Sequence, residues 1–227
     1  MSLRKNKIPI VVMIGRGSKL PIIIKAAKSP KSKFNIQLVV SHKKKSPGVD
    51  IALKNNIPAA YLNLFDWCRR TKKSRAQYMK YLGWFISQKV YNPKLVVFAG
   101  WDLVMDKNFF DFFKAKTGDG YSAINLHPAL MKIKTEKTIE LPDKSKIEVI
   151  KGEQEDVLKE VLKRKHTYFG PSVHFMVPTK FDTGKVVARE FIKVGKSKTI
   201  KQLQKKLIPV EDRLLLKSIY KVISKYL

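Results

Sequence analysis

The chain has 227 residues, 44% of them hydrophobic, and a single cysteine, Cys68, so it can bury one large core but has no intrachain disulfide and no cysteine-based zinc cluster. No apolar run reaches the roughly 18 residues that span a bilayer, and the segment before Ile8 lacks the apolar stretch of a signal peptide; a cytoplasmic protein with no membrane partner is expected. The net charge of +29, from 47 Lys and Arg against 18 Asp and Glu, disfavours a cationic partner and suits an anionic one.

Residues 8–14 form a continuous apolar run of strand length, the mark of a strand buried on both faces. Gly15-Arg-Gly-Ser-Lys19 follows, then an apolar-periodic helix over about 20–28. A second strand is expected at 34–41, a short helix at 49–55 and a third strand at 59–62. A long helix is predicted from about Ser74 to Val90, with Tyr78, Leu82, Phe85, Ile86 and Val90 on one face and Pro93 closing it. Strand 94–100, helix 107–116 and strand 121–126 come next. Strands alternating with helices predict an α/β fold, Rossmann-like, with a mostly parallel sheet flanked by helices.

The pattern changes after Leu130. Residues 137–150 alternate around Pro142-Asp143 and predict a β-hairpin. Residues 153–165 read as an amphipathic helix with an acidic first turn. Segments 171–178 and 185–194 read as further, antiparallel strands joined by Thr179-Lys-Phe-Asp-Thr-Gly184, and 199–225 as helix interrupted at Pro209. A single domain over 1–227 is expected, with a nucleotide-binding-like half (1–130) and a second half (131–227) containing the hairpin.

Three places carry chemistry. Asn125 and His127 lie two apart at the end of a strand, so they share a face, and Pro128 ends the ladder. An amide donor and an imidazole held there can stabilise an oxyanion and move a proton; a strand end with incidental polar residues is the alternative. Gly15, Gly17, Ser18 and Lys19 sit between a strand and a helix N-terminus, where free N–H groups and the dipole favour phosphate; an ordinary turn capped by Ser18 is the alternative. The third glycine of a dinucleotide fingerprint is replaced by Leu20. Asp182 lies in an Asp-Thr-Gly turn, which on its own is common turn chemistry. His174 alternates with apolar residues and reads as a core-edge histidine; His42 and His166 lie among lysines and read as solvent-exposed. No metal-ligand spacing is present. Eight of the 47 cationic residues are arginine. Base and phosphate readout usually recruits the bidentate arginine fork, so nucleic-acid binding stands behind simple lysine bias.

Taken in order, these elements resemble the folate-dependent formyltransferases, most closely the branch acting on glycinamide ribonucleotide in purine synthesis. The resemblance is carried by residues 10–20, 94–101, Ile124-Asn-Leu-His-Pro-Ala-Leu130, and Gly170-Pro-Ser-Val-His-Phe175 with Phe181-Asp-Thr-Gly184. It implies transfer of formyl from 10-formyltetrahydrofolate, without a metal, to a primary amine. By the same resemblance Asn125, His127 and Asp182 are catalytic, and Asp182 keeps His127 cationic. Gly15, Gly17, Ser18, Lys19, Arg75 and Glu211 contact the phosphorylated substrate, and Leu103, Val104 and Met105 contact the pterin. The sequence departs from the family in three places. Trp101-Asp-Leu-Val-Met105 lacks the family's arginine. Arg16 and Lys19 replace asparagines. Met131-Lys132 and the hairpin replace a proline and a glycine-rich loop. The acceptor amine is thus glycinamide ribonucleotide or another, such as a nucleotide-linked amino sugar. A methionyl-tRNA formyltransferase would need a further C-terminal domain. An inactive, basic nucleic-acid-binding protein is the reading of another class. Oligomeric state has no sequence signal.

Overall fold

The uninterrupted apolar runs become the inner strands of one sheet, because only a strand covered on both faces can be apolar at every position. In this computed structural model, residues 7–114, 120–133, 136–178 and 184–227 are described. The elements are β1 (Ile8–Ile14), α1 (Leu20–Lys28), β2 (Phe34–Ser41), α2 (Pro47–Lys54), β3 (Ala59–Tyr61), α3 (Leu64–Thr71), α4 (Arg75–Ile86), β4 (Leu95–Ala99), α5 (Lys107–Phe110), β5 (Ala123–His127), β6 (Ile139–Glu140), β7 (Lys146–Ile147), α6 (Gln154–Lys163), β8 (Tyr168–Phe169), β9 (Ser172–Phe175), β10 (Val186–Arg189), β11 (Ile192–Lys193) and α7 (Ile200–Tyr226).

Seven strands form one sheet in the order β10-β9-β5-β4-β1-β2-β3. β1 to β5 run parallel, β9 is antiparallel to β5, and β10 is antiparallel to β9. The expected Rossmann-like α/β sheet with antiparallel strands after Asn125–His127 is therefore observed. β1 shows how the layers arise. Ile10, Val12 and Ile14 join one core with Leu20 and Ile23 of α1 and Leu214, Leu215 and Ile219 of α7. Val11 and Met13 join the other with Tyr78 and Leu82 of α4 and Phe109 and Phe110 of α5. Each fully buried Ile or Leu contributes roughly 1.5–3 kcal/mol, so these two layers hold the sheet rigid beneath its C-terminal edge. Among the described residues no helix is long and apolar enough to cross a membrane.

Several elements differ from the sequence expectation. α4 stops at Ile86, and Val90 is exposed rather than on the buried face. Pro93 disfavours helix just before it, and the chain turns instead through Tyr91 and Asn92, whose N–H groups both donate to the Gln88 carbonyl. α5 is one turn long, and residues 115–119 lie outside the described ones. α3 was not expected; Asn63 caps it by accepting from the Asp66 N–H. α7 runs unbroken through Pro209. Leu203, Leu207, Glu211 and Leu214 are buried on both sides of the proline while its ring is exposed, so packing outweighs the lost backbone hydrogen bond. The 137–150 hairpin is present as the short β6–β7 ladder. Segment 185–194 is split, with β10 in the main sheet and β11 paired to β8. His42 is buried and His166 half-buried, not solvent-exposed.

Candidate functional site

A cleft of about 1050 Å³ opens beyond the carboxyl ends of β1, β4 and β5, where open α/β sheets bind ligands. Its lining includes the 15–19 turn, residues 99–105, Asn125 to Pro128, and residues 151–155, with His174 and Glu211. Most of the site residues expected from sequence converge here. The exceptions are Arg75, which stands outside the lining, and Asp182, which lies outside the described residues.

The glycine turn is held by its neighbours. Ser41 Oγ and Ser46 Oγ each donate to the Gly15 carbonyl at 2.8 Å. Gly17 has φ +87°, and a Cβ there would come within 2.6 Å of Gly48 Cα, so only glycine fits. Ser18 does not cap α1; Lys19 occupies the cap position without a side-chain cap bond, and Ser18 is exposed on the cleft. Lys19 is only 7% exposed, and its Nζ lies 2.8 Å from both Glu211 Oε2 and Asp212 Oδ1. Glu211 is 2% exposed and also accepts from Gln154 Nε2 at 3.1 Å. A buried lysine is stable only when matched in this way. Its charge is spent within the fold, while Arg16 and Lys151 remain as cations on the cleft wall.

Asn125 and His127 emerge on one face of β5, as their spacing requires. Asn125 lies opposite His174 of β9 in register, with Nδ2 3.4 Å from His174 Nε2. His174 Nδ1 is 2.9 Å from the Phe175 carbonyl. A carbonyl can only accept, so Nδ1 carries the proton in that bond and Nε2 can accept from Asn125. His127 is 4% exposed and its ring stands edge-on to that of His174, centroids 6.5 Å apart. His174, read from sequence as a core-edge histidine, is 2% exposed and also lines the cleft. The signal was its place on a strand that pairs with β5, which no local pattern reveals.

The segment after the motif is tied down. Met131 N–H donates to Ser172 Oγ, and Arg189 donates to the Met131 carbonyl at 2.8 Å and to both oxygens of Glu136 at 2.6 and 2.7 Å. The Arg189 guanidinium holds the Glu136 carboxyl below the usual carboxylate range. On the opposite wall, Leu103, Val104 and Met105 line the cleft, and Arg75 donates to the Val104 carbonyl at 2.6 Å. Among the described residues no group of three or more His, Cys, Asp or Glu side chains could hold a metal ion.

Comparison with known proteins identifies the family. Residues 7–139, more than half of the chain, match the formyl transferase family. The chain belongs to that family. It is similar to human trifunctional purine biosynthetic protein adenosine-3, 24% identical over 214 residues, covering 94% of this chain and 18% of the relative. It is also similar to phosphoribosylglycinamide formyltransferase of Saccharomyces cerevisiae, 28% identical over 131 residues, covering 53% of this chain and 58% of that one. The chain therefore spans under a fifth of the trifunctional relative and just over half of the yeast enzyme. Among solved structures, glycinamide ribonucleotide transformylase 1 from Symbiobacterium toebii superposes with a TM-score of 0.75 at 18% identity, over 96% of this chain and 89% of that one. Phosphoribosylglycinamide formyltransferase from Brucella melitensis gives 0.74 at 18%, over 98% of each. At such identity these structures speak for the formyltransferase fold, which this chain has.

Proposed function

We propose that the protein transfers the formyl group of 10-formyltetrahydrofolate to the primary amine of glycinamide ribonucleotide. The observation that carries this reading is the emergence of Asn125 and His127 on one face of β5 into a cleft that the glycine turn also lines. The amine nitrogen attacks the formyl carbon, and a tetrahedral oxyanion forms. Protonated His127 and the Asn125 amide stabilise it. The bond to N10 of the folate then breaks; the proton shed by the amine passes through water to that nitrogen, with Asp182 orienting His127 and assisting the relay. The substrate phosphate sits on the N–H groups of the 15–19 turn, beside Arg16. Glu211 and the main chain of Lys19 complete the substrate side, Arg75 acts from outside the lining by holding Val104, and the backbone of 103–105 faces the pterin.

A second acceptor, such as a nucleotide-linked amino sugar, is favoured by two observations. Lys19 is neutralised by Glu211 and Asp212, and residues 151–155 line the cleft after an unfamiliar hairpin. The test mixes the purified protein with 10-formyltetrahydrofolate and each amine in turn and follows release of tetrahydrofolate. Turnover with glycinamide ribonucleotide is expected. Turnover only with the amino sugar would replace the acceptor, and turnover with neither would remove the reaction.

A further inference from the structure

We propose that His42 is a positioning residue for the 101–105 wall of the cleft, acting through Trp101 and Asp102. The proposal rests on reading that wall as the folate contact. His42 follows β2 directly, in a run continued by Lys43, Lys44 and Lys45, yet it is 3% exposed. Its ring is wedged between two loops. On one side a Cβ built on Gly15 would meet its Cε1 at 3.5 Å. On the other, the Trp101 ring stands edge-on at 4.5 Å between centroids. Nε2 lies 2.5 Å from Asp102 Oδ1, and the second oxygen of Asp102 lies 2.5 Å from Lys43 Nζ. The carboxylate approaches obliquely to the ring N–H direction, so the hold combines this polar contact with the ring packing rather than one aligned hydrogen bond. The main chain of His42 is fixed as well, since its carbonyl accepts from Asn63 Nδ2 at 2.8 Å.

What is held is a segment without regular structure. Residues 101–105 leave β4 through Gly100, whose φ is +82°, and belong to no strand or helix. Nothing in a backbone ladder orients their N–H and C=O groups, so side chains from other elements must. His42 and Lys43 hold the start through Asp102, and Arg75 holds Val104 near the end. Between these anchors Leu103 and its neighbours face the cleft. Removing His42 leaves Asp102 to Lys43 alone and loosens the wall, while the 15–19 turn keeps its Ser41 and Ser46 hydrogen bonds to the Gly15 carbonyl and Asn125 and His127 stay on β5. Affinity for the ligand that touches this wall is therefore the quantity that changes.

The test compares wild type with His42→Leu, His42→Gln and Asp102→Asn. Binding of tetrahydrofolate is measured by calorimetry, KM for both substrates and kcat by turnover, and folding by circular dichroism. His42→Leu is expected to weaken tetrahydrofolate binding by about tenfold, as the cost of a displaced contact surface. KM for 10-formyltetrahydrofolate should rise in step, while kcat at saturation and KM for the amine stay within about twofold on the same argument. His42→Gln, which keeps an N–H at similar reach and loses the ring, should recover part of the loss. If the leucine variant fails to fold, Asp102→Asn, a change at a half-exposed carboxylate, must show the same shift. Wild-type affinity in Asp102→Asn and in a folded His42→Leu overturns the positioning role alone. Absence of tetrahydrofolate binding in wild type overturns the folate reading and this proposal with it.

Discussion

At the scale of single residues, the site separates groups that face the cleft from groups that hold them. Asn125 is half-buried with its amide beside His174, so on the proposed mechanism replacing it should remove an oxyanion donor without emptying the core. Asn125→Ala is expected to lower kcat by about 10²–10³-fold, the usual cost of one such donor, with KM changed little. A variant with unchanged turnover would mean that the oxyanion forms elsewhere. Protonation can be read in the same way. Burial pushes His42 and His166 below their ordinary value of 6.5, against the opposing pull of Asp102 on the first and Glu160 on the second. The fold therefore favours their neutral forms, and between the lowered value and 6.5 the unfolded chain binds more protons. Their contribution to stability is complete above about 6.5 and declines as pH falls through that window. Glu136, held low by Arg189, adds a further decline below its ordinary 4.5. Urea midpoints measured from pH 8 to pH 4 should drop in those two stages, and a double His42→Gln, His166→Gln variant should lose the first. A flat profile down to pH 5 would contradict the burial of both rings.

At the scale of elements, legibility follows the range of the cause. β1 and β4 were readable because a doubly covered strand is apolar at every position, a property of the strand alone. The turn at Gly15 and the common face of Asn125 and His127 were readable because glycine placement and the two-residue strand period are equally local. α3 was not, since its eight residues make only about two turns, too short for its one-sided apolar pattern to stand out, and its start relies on the Asn63 cap. His42 misled because its burial comes from Gly15 and Trp101, both remote in sequence. His174 misled because only the β5–β9 register brings it to Asn125. α7 is the sharpest case. Pro209 signals a break, yet Leu207 and Glu211 are packed on either side of it and the helix continues. The proline must then be a local cost carried by tertiary packing. Pro209→Ala restores the missing N–H at an exposed position and should stabilise the protein by roughly 1–3 kcal/mol in urea unfolding, against the about 3 kcal/mol propensity gap. Equal or lower stability would show that the helix path depends on the proline.

At the scale of the whole molecule the dominant fact is charge. Even if every one of the 18 acids neutralised a cation, 29 would remain unmatched. Many of the ion pairs are exposed contacts between residues three or four apart, such as Lys159 with Glu155 and Lys107 with Asp111, and such solvent-screened pairs add little to stability. The compact state therefore carries net self-repulsion. At about 0.1 M salt the Debye length is roughly 10 Å, so repulsion across a domain of this size is largely screened while contacts such as Lys19–Glu211 are not. Raising sodium chloride from about 10 to 200 mM, across that screening range, should raise the thermal midpoint. The same screening weakens the field that gathers anions at the cleft, so KM for a phosphorylated amine should rise over that interval while kcat holds. If salt lowers the midpoint, the surface pairs outweigh the repulsion, and the excess of lysine is compensated in ways the net charge does not express. If instead the dominant salt effect is a steep loss of binding to a single-stranded oligonucleotide, with log affinity falling linearly in log salt, the charge belongs to a nucleic-acid partner rather than to the small anion in the cleft.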